Sequence, residues 1–127
     1  MYVLLNKRRT SHATVPTNHI QHGNTRIKGL ILDLPHTCHT DAFPTELIAP
    51  GKGSYEENEY APILPLSRIK FFNELLDVSN PKDKYYSILL ASDAEMIGLP
   101  ATHFLVAGRD PLRDEALLYE EKLKRAG

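Results

Sequence analysis

The sequence predicts an α/β fold: a small parallel sheet with flanking helices, incomplete as a sheet. Three observations carry that expectation. Leu30-Ile31-Leu32-Asp33-Leu34 and His103-Phe104-Leu105-Val106-Ala107 are short apolar runs, closed by Pro35 and Gly108 respectively. Runs of this length and density belong to strands buried in parallel sheets. A long connection with helical periodicity separates them, as a parallel crossover requires, and a clear amphipathic helix follows the second. Two parallel strands leave two open edges, so the pattern reads as part of a sheet.

With 127 residues, the chain is long enough for one domain. Its 42% hydrophobic and 24% charged residues are those of a globular protein and exclude a collagen-like or wholly disordered chain. The single cysteine, Cys38, excludes an internal disulfide. Fifteen basic and sixteen acidic residues give a net charge of -1, so no global field draws the molecule to nucleic acid. No window approaches the roughly 18 apolar residues of a membrane span. Val3-Leu4-Leu5 is too short for a secretory signal and precedes its charges instead of following them. A cytoplasmic location is expected.

Residues 1–25 read as a poorly ordered basic segment and residues 26–127 as the folded portion. Lys7, Arg8, Arg9, Arg26 and Lys28 all precede the first acidic residue, Asp33. Pro16 and Gly23 interrupt any helical stripe there, which disfavours a transit peptide or a nucleic-acid arm. After the first predicted strand, Pro44, Pro50, Pro62 and Pro65 with Gly51 and Gly53 predict extended, irregular structure. Ser54-Tyr55-Glu56-Glu57 has capping-box spacing and predicts a short helical turn. Ile69, Phe72, Leu75 and Leu76 form a helical stripe after Ser67 that should stop near Ser79-Asn80-Pro81, with Phe72 buried. Ser92-Asp93-Ala94-Glu95 offers another cap.

The last segment predicts the best-defined helix. Leu112, Ala116, Tyr119, Leu123 and Ala126 recur at alternating spacings of four and three. Asp110 stands where an N-cap belongs and Pro111 where the first helical residue belongs. Asp114 and Glu115 in the first turn, and Lys122, Lys124 and Arg125 in the last, complement the helix dipole.

Residues 98–115, Gly-Leu-Pro-Ala-Thr-His-Phe-Leu-Val-Ala-Gly-Arg-Asp-Pro-Leu-Arg-Asp-Glu, carry a resemblance. From about Arg26 to Gly127 the chain resembles the C-terminal half of an α/β-hydrolase fold-3 protein, of the hormone-sensitive-lipase-like group. Lys28-Gly-Leu-Ile-Leu-Asp-Leu-Pro35 and Ser54-Tyr-Glu-Glu-Asn-Glu-Tyr-Ala-Pro-Ile-Leu64 are similar to the fungal carboxylesterase-like branch. The chain departs from it at Ser87-Ile88-Leu89, where the family often has Ser-Pro-Leu, and at Leu99-Pro100-Ala101, where it has Leu-Pro-Pro.

The resemblance implies hydrolysis of small carboxylic esters through a Ser-His-Asp triad, without metal or organic cofactor, with Asp110 as the triad acid. The order in this fold is Ser, then Asp, then His. The 127 residues hold no Gly-x-Ser-x-Gly and no histidine after His103; Ser11 sits in Thr-Ser-His without the flanking glycines. The expectation is therefore a fragment bearing only the acid and inactive alone. The alternative is a non-catalytic polypeptide that self-associates by pairing an exposed sheet edge.

Other candidate chemistry is weaker. His36, Cys38, His39 and Asp41 cluster beyond a strand end, with His19 and His22 upstream, but lack the paired spacing of structural zinc ligands. A polar loop with an inert thiol is expected. Gly51-Lys52-Gly53-Ser54 lacks phosphate-loop spacing. Tyr55, Tyr60, Phe71, Phe72, Tyr85 and Tyr86 are candidates to line an acyl cleft in an intact homologue.

Overall fold

The computed structural model describes residues 2–6, by their backbone, and residues 27–127. Among these residues three parallel strands, β1 (Tyr2–Asn6), β2 (Gly29–Asp33) and β3 (Thr102–Leu105), form one sheet in that order. Two strands were expected. The third lies within the stretch read as a poorly ordered lead-in, where Val3-Leu4-Leu5 gains Tyr2 and Asn6 to make five paired residues. Its register runs from Tyr2 opposite Gly29 to Asn6 opposite Asp33. Local periodicity misses such a strand because its partner lies far along the chain. The basic cluster from Lys7 to Arg9, the early histidines and the breakers Pro16 and Gly23 lie outside the described residues.

β2 is the middle strand, and its neighbours explain its composition. Leu30 stands opposite Thr102 and Leu32 opposite Phe104, so these four share one face. Leu30 and Leu32 are fully buried there, each contributing about 1.5–3 kcal/mol by leaving water. β3 was expected to run buried through Ala107, but it ends at Leu105 and alternates. His103 and Leu105 are exposed while Thr102 and Phe104 are half-buried. Among the described residues a helix covers only the Phe104 face, which turns a near-continuous apolar run into period-two burial.

Between β2 and β3 the chain makes 3-10 turns at Thr40–Ala42, Thr45–Leu47 and Ile88–Leu90, and three helices. These are α1 (Ser54–Glu57), α2 (Leu66–Leu76) and α3 (Asp93–Met96). α3 has the predicted capping box: the Ser92 side chain accepts from the backbone of Glu95, whose carboxylate takes the Ser92 N–H at 2.9 Å. α1 does not. Gly53 is its N-cap, and the Ser54 hydroxyl is used in a tertiary contact instead. α2 stops before Ser79 because Asp77 turns left-handed (φ 46°) and donates its N–H to the Glu74 carbonyl at 3.1 Å. It buries Ile69 and Asn73, four residues apart, and not Phe72, which is 48% exposed.

β3 leads into α4 (Arg113–Ala126), which packs on α3 and on the Ile88–Leu90 turn. Ala116 and Tyr119 are buried, and the Tyr119 ring meets Phe104 edge-on at 5.9 Å between centroids. Leu32, Cys38, Ala42, Ile88, Leu89, Ala91, Met96 and Tyr119 form one continuous core.

Candidate active site

β2 and β3 end in register, with Asp33 opposite Leu105, and the Leu34 N–H reaches the Leu105 carbonyl at 2.9 Å. Leu34 sits at φ 48°, a backbone region unfavourable to a residue with a Cβ. The chain thus turns sharply off the sheet at this rim. Beyond β3, residues 106–109 lead from its C-terminal end to Asp110, which is only 6% exposed. Its Oδ1 accepts the Leu112 N–H at 2.9 Å, and its carbonyl accepts the Arg113 N–H at 3.0 Å. Asp110 therefore caps a turn through buried Pro111 and Leu112, and α4 begins at Arg113, two residues later than an N-cap at Asp110 implies.

The next two acids hold this turn to the rest of the chain. The Ser54 N–H donates to Asp114 Oδ2 at 2.6 Å, the Ser54 hydroxyl donates to the Pro111 carbonyl at 2.6 Å, and the Asp114 N–H donates back to Ser54 Oγ at 3.2 Å. Arg113 links Asp114 and Glu57, each at 2.8 Å, and donates to the Gly108 carbonyl at 3.2 Å. Glu115 is wholly buried. Its Oε1 takes the Thr37 N–H at 2.6 Å and its Oε2 takes the Tyr55 hydroxyl at 2.8 Å, while its carbonyl accepts from Thr37 Oγ1 at 3.1 Å. The Cys38 N–H also bonds to its carboxylate.

Burial dominates the electrostatics of this cluster. It pushes the Glu115 carboxyl up to about 8, against the lowering pull of the Thr37 N–H, the Tyr55 hydroxyl and the Cys38 N–H. Burial first, and Glu115 second, push the Cys38 thiol up to about 12, so this sulfur stays protonated and inert at neutral pH. Burial and then the Glu115 charge likewise push the Tyr55 phenol far up, and Tyr86 up to about 12.

The other candidates do not converge. His39 Nδ1 accepts the Asp41 N–H at 3.1 Å, and its ring lies against Tyr86 at 5.5 Å. His36 meets the same tyrosine edge-on. Among the described residues no three His, Cys, Asp or Glu side chains are grouped to hold a metal ion. His19 and His22 lie outside those residues. The six aromatics do not line one cleft: Tyr55 and Tyr86 turn inward to Glu115 and Asn73, while Tyr60, Phe71, Phe72 and Tyr85 are exposed.

Sequence reasoning placed Asp114 and Glu115 in the first turn as dipole partners and did not foresee their burial. One signal was available. Glu115 is three residues after Leu112 and four before Tyr119, so it lies on the apolar stripe itself.

A parallel sheet, helical crossovers and a buried aspartate beyond a strand's C-terminal end define an open-sheet α/β protein, the class that builds its sites along that edge. The chain belongs to the α/β-hydrolase fold-3 family, whose profile, described as alpha/beta hydrolase fold, matches residues 11–127. The match begins upstream of the Arg26 boundary suggested by the motifs. The chain is 32% identical over 101 residues to versiconal hemiacetal acetate esterase of Dothistroma septosporum, covering 80% of this chain and 30% of that protein. It superposes on vibralactone cyclase with a TM-score of 0.83 at 32% identity, over 100% of this chain and 37% of the other. Brefeldin A esterase, a bacterial homologue of human hormone-sensitive lipase, shares the fold, with a TM-score of 0.81 at 22% identity over 99% of this chain and 36% of its own. The chain thus spans about a third of the length of these relatives.

Proposed function

We propose that residues 26–127 are the acid-bearing, C-terminal portion of a cytoplasmic hydrolase of small carboxylic esters, with Asp110 as the third member of a Ser-His-Asp triad. The observation that carries this is a buried aspartate at the C-terminal rim of a parallel sheet, in a turn fixed by several independent hydrogen bonds. In such a triad the serine hydroxyl attacks the ester carbonyl and the histidine takes its proton. The aspartate then fixes the histidine tautomer and stabilises the imidazolium. The likeness to an acetate esterase over 101 residues supports the ester class.

The 127 residues contain neither the serine elbow nor a histidine after His103. Purified alone, they therefore give no turnover of p-nitrophenyl butyrate. Within a longer polypeptide carrying both groups, Asp110→Asn lowers kcat by about 10⁴-fold while leaving KM close to its parent value. Turnover by the 127 residues that a serine-reactive phosphonate blocks, or full activity in the Asn variant, overturns the proposal.

A second function has one observation in its favour. β3 is an edge strand among the described residues, with Leu105 53% exposed. We propose that the chain, if non-catalytic, self-associates by pairing this edge. Light scattering then reports a dimer at micromolar concentration that Leu105→Lys converts to monomer; a monomeric parent chain rejects it.

A further inference from the structure

We propose that Glu115 is a positioning residue for the Asp110 turn, its carboxylate fastening the loop after β2 and Tyr55 to the start of α4 so that Asp110 is held at the sheet rim. This rests on Asp110 as triad acid for its functional meaning, but the coupling itself is a property of the present chain. Glu115 follows the Asp110 turn directly in sequence, and its partners come from two other segments. Thr37 and Cys38 offer backbone N–H groups from the loop after β2, and Tyr55 offers its hydroxyl from α1. Release of the carboxylate frees both segments at once from the helix that follows the Asp110 turn.

The groups that face Glu115 are all acids. They are the Cys38 thiol, the Tyr55 and Tyr86 phenols, and the Asp110 carboxyl, whose charge also raises Glu115. Asp114, next in sequence, is tied instead to Ser54 and Arg113, and Arg113 spends its guanidinium on Asp114 and Glu57. Among the described residues no cation pairs with Glu115. Its hold on the loop is thus made of hydrogen bonds to neutral donors, which favour the ionised form without offsetting the burial that opposes it.

Amide NMR on the whole chain tests the inference, because the Leu112 N–H donates to Asp110 Oδ1 and reports its position. The Thr37, Cys38 and Leu112 amide protons are expected to titrate together, with a midpoint near 8. Glu115→Gln abolishes that step at all three amides and displaces the Leu112 resonance. Tyr55→Phe, which removes one donor and keeps the ring, moves the common midpoint upward, and decides the matter if the Gln variant fails to fold. A Leu112 amide that ignores both variants while Thr37 and Cys38 respond reduces Glu115 to a loop staple and overturns the proposal, as does absence of the shared step. Full activity of Asp110→Asn in a longer polypeptide removes the triad role yet leaves this coupling intact, so the two failures are distinguishable.

Discussion

Helices α2 and α4 both carry an apolar stripe at helical spacing, yet α4 buries Ala116 and Tyr119 whereas α2 leaves Phe72, Leu75 and Leu76 facing outward. What separates them is the neighbour on offer. α4 lies over the Leu30–Leu32 face of the sheet and meets α3 and the Ile88–Leu90 turn. α2 touches the rest of the described chain mainly through the Thr40–Ala42 turn, with Asn73 donating to Thr40 Oγ1 at 3.0 Å and accepting from the Tyr86 hydroxyl at 2.9 Å. Periodicity states which face of a helix seeks burial. It does not say whether a surface is there to receive it.

Four measurements break or sharpen that contrast. The largest effect belongs to Tyr119→Ala, which empties the centre of the α4 contact and lowers unfolding free energy by about 3–5 kcal/mol in urea titration. A loss below 1 kcal/mol on the same scale places the core elsewhere. Next comes pH. Glu115 holds its proton more tightly in the folded chain, at about 8 against an ordinary 4.5. Its contribution to stability is therefore complete below about pH 4.5 and drains away as pH climbs to 8. The urea midpoint should fall over that window by the equivalent of about 2–4 kcal/mol, and much less in Glu115→Gln.

Ser54→Ala removes the hydroxyl shared by the Pro111 carbonyl and the Asp114 N–H, and costs about 1–2 kcal/mol by the same titration. The smallest change is expected at Leu75→Lys, 65% exposed on α2: within about 0.5 kcal/mol of the parent, with higher solubility. A large loss there means that α2 has a covered face after all.

β2, β3 and both long helices were legible in the sequence because each is encoded locally, by an apolar run or a stripe with punctuation. The α3 capping box was legible for the same reason: Ser92 and Glu95 serve each other within a single turn. Asp110 stood out in the sequence through its motif, and the structure buries it at the start of a turn. β1 was not legible, since five residues become a strand only by pairing with Gly29–Asp33. Ser54 was misjudged because a hydroxyl with ideal capping spacing found better partners at Pro111 and Asp114. Glu115 was misjudged because an acid in a first helical turn normally serves the dipole from outside, and only its Thr37, Cys38 and Tyr55 partners make an interior place tolerable.

The bond between the Thr37 N–H and the Glu115 carboxylate joins residues 78 apart in sequence. Closing so long a loop costs entropy before any compensating contact forms, so pairing of this kind belongs to the slow, late part of folding. On the ribosome, Thr37 must wait for nearly the whole of this chain to emerge before its acceptor exists. The aspartate turn is therefore among the last features to set, and a chain interrupted before α4 leaves β2 without the clasp that seats it.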